Sequence, residues 1–507
     1  MSTFELLFHG FSVSLTFQNL LAAAIGVTIG TIAGILPGLG ISGSIALLLP
    51  FSIQLNPLTA LIMFAGIYHG AMYGGSTTSI LVNVPGEATS VVTCLEGYAM
   101  ARKGRAGAAL AIAAIGSFIA GTLGIVGLTF FAPIIANTAL AFGPPEYFAI
   151  AFLGLVILSN LTGKSFLRSF LMVLVGIMLG TIGLDPMSGI NRFTFNVDEL
   201  GKGIDFVIVV MGIFGVGEVL STLGQPAEET TLQKVRFREL YPNREEMRRS
   251  VGPIFRGGLL GFFMGLIPGP SATISTFLSY AVERKISKRP EEWGKGAIEG
   301  VAGPESANNG ATSAQMIPLL SLGLPFTSSA AILLSGFVIH GITPGPMLLS
   351  SHPDLFWGLI ASMYTGNVML LILNLPAVGI FASLLRVPMK ILMPVVAIIT
   401  FTGAYALDFS LFDLLFLLIF GILGYLMKLA SFELAPLAIG LFLGPSLEKG
   451  LVQGLIICDG SFIVLLARPL AGPLLWLALA VILFAILRKV IGLFKTASAK
   501  EKDKAVV

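Results

Sequence analysis

Charge is scarce in this sequence. Asp, Glu, Lys and Arg make up 11% of its 507 residues, against about 25% in a soluble domain. Hydrophobic residues make up 55%, and the mean hydropathy is +0.91. Such a composition excludes a string of ordinary soluble domains and identifies an integral membrane protein. The formal net charge of +3 is too small to draw in nucleic acid, and the basic residues cluster in short loops instead of covering a face. Cysteine is nearly absent. Cys94 and Cys458 lie far apart in apolar surroundings, with no CxxC or Cys/His ligand spacing, so both are read as structural and no transition-metal site is expected. The start, MSTFELLFHGFSVSLTF, lacks a basic n-region, which makes Leu20–Leu36 a retained span and not a cleaved signal peptide. No HExxH, GxSxG or paired Asp occurs, so an intramembrane enzyme has no visible nucleophile, acid pair or metal set.

Long apolar runs are what the chain has instead. Leu20–Leu36, Ala108–Ile135, Phe166–Leu184, Phe206–Leu223, Leu411–Met427 and Leu470–Leu487 each approach the roughly 20 residues that a helix needs to cross a bilayer. The ten-residue alternation of a membrane β-barrel is missing. Lys and Arg gather at Arg102–Arg105, Lys164–Arg168, Lys234–Arg249, Arg284–Lys295, Arg386–Lys390 and Arg488–Lys504. The positive-inside rule makes these segments cytoplasmic. Crossings then fall near 108–130, 147–162, 166–183, 206–223, 358–381, 391–405 and 411–427. Residues 431–468 do not resolve, because Gly444, Pro445 and Gly450 interrupt them. The charged stretch Gln225–Ser250 reads as a cytoplasmic connector. It divides a first transmembrane half, 1–224, from a second, 251–488, and a basic cytoplasmic tail follows at 489–507.

Each half carries an apolar helix that ends in Leu/Ile-Pro-Gly, then a patch of Gly, Ser and Thr, then a Pro: GILPGLGISGS (Gly34–Ser44) with GGSTTSILVNVPGE (Gly74–Glu87), and GLIPGPSATIS (Gly265–Ser275) with NGATSAQMIPLLSLGLP (Asn309–Pro325). The first pair leads to a basic loop and the second to a loop without basic residues, which suggests inverted repeats. Matched interruptions of this kind point to the binding site of a secondary transporter, because broken backbone at membrane depth survives only inside protein or beside a watery cavity. The expected fold is therefore an all-α polytopic membrane protein of about 12 segments, broken or re-entrant helices included, in two inverted-topology repeats. Kinked helices with small residues for close packing are the structural alternative.

Helix N-termini at Pro37-Gly38-Gly40 and at Pro268-Gly269-Ser271 suit carboxylate oxygens, with Pro270 placed as the first residue of its helix. Ser76, Thr77, Thr78, Ser79 and Asn83 in one half, and Asn308, Asn309 and Ser313 in the other, offer hydroxyl and amide contacts, one of the hydroxyls also serving as a helix cap. Glu305, Asn309 and Thr312 form a candidate cation site of hard oxygen ligands. Two roles are open to Glu305: an intramembrane acid with a function, or a cap on a helix that starts at Gly303-Pro304 near the interface. Pro318 is expected to end that helix. His69 and His340 are read as structural or interfacial, with a proton relay as the alternative.

Together these four motifs resemble the TctA family, the large membrane component of tripartite tricarboxylate transporters, over nearly the whole chain. The resemblance implies cation-driven import of a carboxylate such as citrate across a bacterial inner membrane. It also implies two partners, a small TctB-like membrane subunit and a periplasmic TctC-like binding protein. The expected function is secondary active import of a tri- or dicarboxylate coupled to Na⁺ or H⁺, with no other cofactor, no enzymatic activity, and the C-terminus in the cytoplasm. A passive carboxylate channel is the alternative.

Overall fold

The computed structural model describes residues 2–36, 40–161, 165–185, 189–223, 241–377 and 389–504. They are almost wholly helical. The sheet among them is one antiparallel pair, β1 (Gly183–Leu184) with β2 (Asn191–Arg192). In chain order the helices used below are α1 (Thr3–Ser14), α2 (Phe17–Ile35), α3 (Gly40–Ser52), α4 (Pro57–Val82), α5 (Ala106–Ala139), α6 (Pro144–Leu161) and α7 (Phe166–Gly180). After them come α8 (Arg244–Gly265), α9 (Ser271–Ile286), α10 (Glu299–Ala314), α11 (Met316–Leu322), α12 (Pro353–Asn374) and α13 (Ala435–Ile457).

Among the described residues six helices are long and apolar enough to cross a bilayer: α2, α5, α6, Phe206–Leu223, α12 and Leu411–Leu429. α4 has the length, at 26 residues, but Gly, Ser, Thr and Tyr dilute its apolar content. Protein buries it almost from end to end, which is how so polar a helix is accommodated.

The chain forms two compact units. One comprises residues 1–140 and 205–430, the other 141–204 and 431–507, so each draws on both sides of the charged connector. In the smaller unit α13 packs on α7. A Cβ at Gly176 would come 2.1 Å from the Leu437 carbonyl oxygen, and one at Gly440 would come 2.4 Å from that of Val173. Arg192 pairs with Glu448, and Arg468 with Glu146. Here the interruption expected at Gly444, Pro445 and Gly450 does not occur, since α13 runs through all three as one helix. Its small residues serve close packing against neighbouring helices.

In the larger unit two helix pairs are joined by glycine. A Cβ at Gly26, Gly30 or Gly34 of α2 would come 2.2, 2.4 or 2.2 Å from the carbonyl oxygens of Met63, Ile67 and Ala71 on α4. A Cβ at Gly257, Gly261 or Gly265 of α8 would come 2.2, 2.1 or 2.5 Å from those of Gly303, Ala307 and Ala311 on α10. Both ladders step by four residues, and in both a Pro-Gly follows the third glycine after the same interval. Only a residue without a side chain lets backbones approach so closely.

Ion pairs gather at one end of this unit. Arg105 holds Glu246, Arg249 holds Glu292 and Glu299, and Arg289 holds Glu245. Three basic clusters of the sequence thus meet in space. Helix α8 begins inside the stretch read as a connector, behind an Asn243/Glu246 capping box; residues 225–240 of that stretch lie outside the described residues. Beside the ion pairs, the fully buried Glu96 carboxylate accepts the Tyr280 hydroxyl and the backbone N–H groups of Gly294, Gly296 and Ala297, a nest of oriented dipoles that compensates its burial.

Candidate functional site

The polar residues of α4 and α10 meet in the core of the larger unit. Glu305 is 1% exposed. Its carboxylate accepts the hydroxyl of Ser76 from α4 and that of Thr93 from the short helical turns between α4 and α5. Asn309, one turn on, donates its amide to Ser117 of α5 at 2.7 Å and to the Glu305 carbonyl at 3.1 Å. Next to this group a cavity of about 10 Å³ is lined by Tyr73, Ser76 and Thr77 of α4, Ser117 of α5 and Asn374 of α12, space for about one water.

Glu305 is not a helix cap. α10 begins at Glu299, so Pro304 and Glu305 lie in its second turn. The helix starts early because Ala297 and Ile298 follow directly on the Glu96 nest and supply carbonyls to the first helical amides. Nor does Pro318 end the element: it sits in the first turn of α11, where a missing N–H is tolerated. The chain breaks at Gly323, which has φ +70°.

A second set of contacts ties the later break to α4. Gln315 accepts the Tyr68 hydroxyl at 2.6 Å and donates to Ser271 at 2.8 Å. Ser271 opens α9 behind Pro270, and the Gly269 amide donates to the Phe326 carbonyl. The Pro268-Gly269 and Gly323–Pro325 breaks therefore lie side by side.

Gly40 opens α3, but that terminus already holds a carboxylate: the Ile41 amide donates to Glu87 at 3.0 Å, as the positive end of a helix dipole favours. Pro37 and Gly38 lie outside the described residues. No hydroxyl of Ser76–Ser79 caps a helix N-terminus; Thr78 and Ser79 turn back to the Gly75 carbonyl. Asn83 ends α4 as an exposed left-handed cap. Thr312 bonds to the Asn308 carbonyl and Ser313 to the Gly121 carbonyl. The structure thus brings together Ser76, Thr77, Glu305 and Asn309, and separately Ser271 with Gly269 and Pro268.

The sequence alone assigns no role to Thr93, Ser117, Asn374, Tyr68 or Gln315. Ser117 and Asn374 are lone polar residues in apolar surroundings, which carry no local signal. Gln315 had one, since an amide side chain in so apolar a chain needs a partner.

The sequence pattern of the tripartite tricarboxylate transporter TctA family matches residues 20–439. The chain belongs to that family. Among relatives of this TctA chain, an uncharacterized 52.8 kDa protein in the TAR-I ttuC' 3'region of Agrobacterium vitis is 46% identical over 478 residues, which is 94% of this chain and 95% of that protein. Another from the same organism, an uncharacterized protein in the TAR-II ttuC' 3'region, is 44% identical over 227 residues, or 45% of this chain and 94% of that protein. No solved structure matches. The chain is therefore a multi-pass membrane component of a transporter family.

Proposed function

We propose that this chain is the translocating subunit of a secondary active importer of a tri- or dicarboxylate. It works with a TctB-type membrane subunit and a TctC-type periplasmic binding protein in a bacterial inner membrane, its C-terminus in the cytoplasm. The observation that carries the reading is the meeting of Ser76 and Glu305. These residues are 229 positions apart, each from a polar motif flanking a Pro-Gly break, and they join deep in an apolar protein beside a small polar cavity. A chain with no transport task has little reason to bury an acid there.

In this reading Ser76, Thr77, Ser117 and Asn374 contact the substrate, Ser271 and the start of α9 hold carboxylate oxygens, and Glu305 with Asn309 binds the coupling ion, Na⁺ or H⁺. The matched glycine ladders support a description as inverted repeats, α2 to α4 answering α8 to α10, within about 12 membrane segments. The test is uptake of radiolabelled citrate, then of a panel of other carboxylates, into vesicles holding the chain with both partners. Accumulation above equilibrium under an ion gradient is expected; equilibration alone would make it a channel. Asn309→Ala and Ser271→Ala should abolish uptake at normal membrane expression, and full activity in both would refute this placement of the site.

A further inference from the structure

The glycine ladders set α4 and α10 in register, carbonyl against carbonyl: Met63, Ile67 and Ala71 in one, Gly303, Ala307 and Ala311 in the other. In that register Ala65 answers Glu305, and His69 answers Asn309. The two answering side chains do the same thing. Asn309 bonds through its amide to the Glu305 carbonyl, and His69 bonds through Nδ1 to the Ala65 carbonyl at 3.0 Å. Each then has one buried polar atom without a partner, Asn309 Oδ1 and His69 Nε2.

For His69 the chemistry follows from the carbonyl. A carbonyl only accepts, so the ring proton sits on Nδ1 and Nε2 carries a lone pair. His69 is 7% exposed and lines a second cavity of about 10 Å³ between α2, α4 and α12, with Val27, Ser362, Gly366, Asn367 and Leu370. Asn367 leads onward, because its Oδ1 accepts the Tyr73 hydroxyl at 2.8 Å. Tyr73 borders the first cavity, where Ser76 reaches Glu305. Positions 69, 73 and 76 share one face of α4.

No lining residue of the His69 cavity is charged. The titratable neighbours on its own helix are Tyr68, whose ring lies 5.3 Å away and whose hydroxyl is taken by Gln315, and Tyr73. Around Glu305, Tyr73 and Cys94 are within electrostatic reach. From α9, Glu283 is held by Arg256 of α8, and Glu96 is held by backbone amides.

We infer that His69 binds the coupling proton, and that the buried face of α4 passes it between the His69 cavity and Glu305. The step balances simply: one proton joins Nε2, making the imidazolium, and leaves it for Glu305 as the ring returns to neutral. This inference rests on the transport reading above and commits it to protons.

The test uses the chain with both partners in Na⁺-free vesicles that enclose the pH dye pyranine, with citrate and then other di- and tricarboxylates as probes. Each proton moved per substrate allows about tenfold accumulation per pH unit imposed. The unmodified complex should acidify the lumen as substrate enters. His69→Gln, and His69→Asn as a second variant, should keep substrate exchange across the membrane while losing both the acidification and the accumulation. His340→Gln should match the unmodified complex. Proton movement at the unmodified ratio in His69→Gln overturns the inference, as does an equal loss in His340→Gln. Substrate uptake by the unmodified complex with no proton movement also overturns it and leaves the transport reading standing; this arm needs no variant to fold. If no carboxylate enters under any gradient, the transport reading itself fails, and the inference with it.

Discussion

Replacing Glu305 separates an acid that is needed for the fold from one that is needed for the ion. Two buried hydroxyls, Ser76 and Thr93, donate to its carboxylate. Glu305→Ala strands both, and a buried hydroxyl without an acceptor costs about 1–3 kcal/mol. Ser76 has a fallback in the Met72 carbonyl at 3.4 Å, so the expected loss falls in the lower half of the combined range, roughly 2–4 kcal/mol. Glu305→Gln keeps one carbonyl acceptor, and the second hydroxyl can rotate to accept from the new amide. Its expected cost is under about 1 kcal/mol. What the amide cannot do is carry the charge. With no carboxylate to take the proton, coupled accumulation should be lost while substrate exchange across the membrane persists. Thermal unfolding followed by fluorescence-detected size exclusion measures the first effect, and ion-dependent uptake measures the second. A glutamine variant that unfolds like the alanine variant, or that transports with unaltered ion dependence, would refute this account.

Further outcomes follow from other contacts. Gly261→Ala puts a Cβ 2.1 Å from the Ala307 carbonyl oxygen and should destabilise by about 1–3 kcal/mol. Gly201→Ala meets nothing nearer than 4.0 Å and should lie within about 0.5 kcal/mol of the parent; the same unfolding assay compares them. Gln315→Leu leaves the Tyr68 hydroxyl and Ser271 without their shared partner and should cost at least about 1 kcal/mol and impair uptake. Burial opposes ionisation of Glu292, but Arg249 and Arg289 outweigh it and hold the carboxyl below its usual range. Its contribution to stability is therefore present above the ordinary carboxylate value and fades as pH falls through the lowered one. Protection against hydrogen exchange across 289–299, corrected for the intrinsic rate at each pH, should fall on acidification over that window, and less so in Glu292→Gln.

Membrane insertion and the break at Pro268-Gly269 were legible because each is a local signal: apolar length in one case, an incompatible residue in the other. α4 was missed as a membrane-length helix because its polar residues hide its length, and only contacts from other segments explain how it is buried. The ladder in α2 and α8 stands in the sequence as glycines at steps of four ahead of each Pro-Gly, but only the facing carbonyls of α4 and α10 show what that spacing is for. The Asn243/Glu246 box stands there too, though its flanking charges suggest a loop. The cap, one of the two roles left open for Glu305, fails for a different reason. A Pro followed by an acid is a sound helix start in isolation, but a helix already under way can absorb both. The Ser76–Glu305 contact itself spans 229 positions, beyond the reach of any local pattern.

The glycine ladders also have a mechanical consequence. With backbones this close, α2 cannot slide along α4, nor α8 along α10, without driving main chain into main chain. Each pair behaves as a stiff plank, and α8 ends at the Pro268-Gly269 corner that leads into α9, where Gly269 takes φ +119°. An opening of the core at this corner would swing the shorter α9 about it, carrying Ser271 away from Gln315 while the planks stay whole.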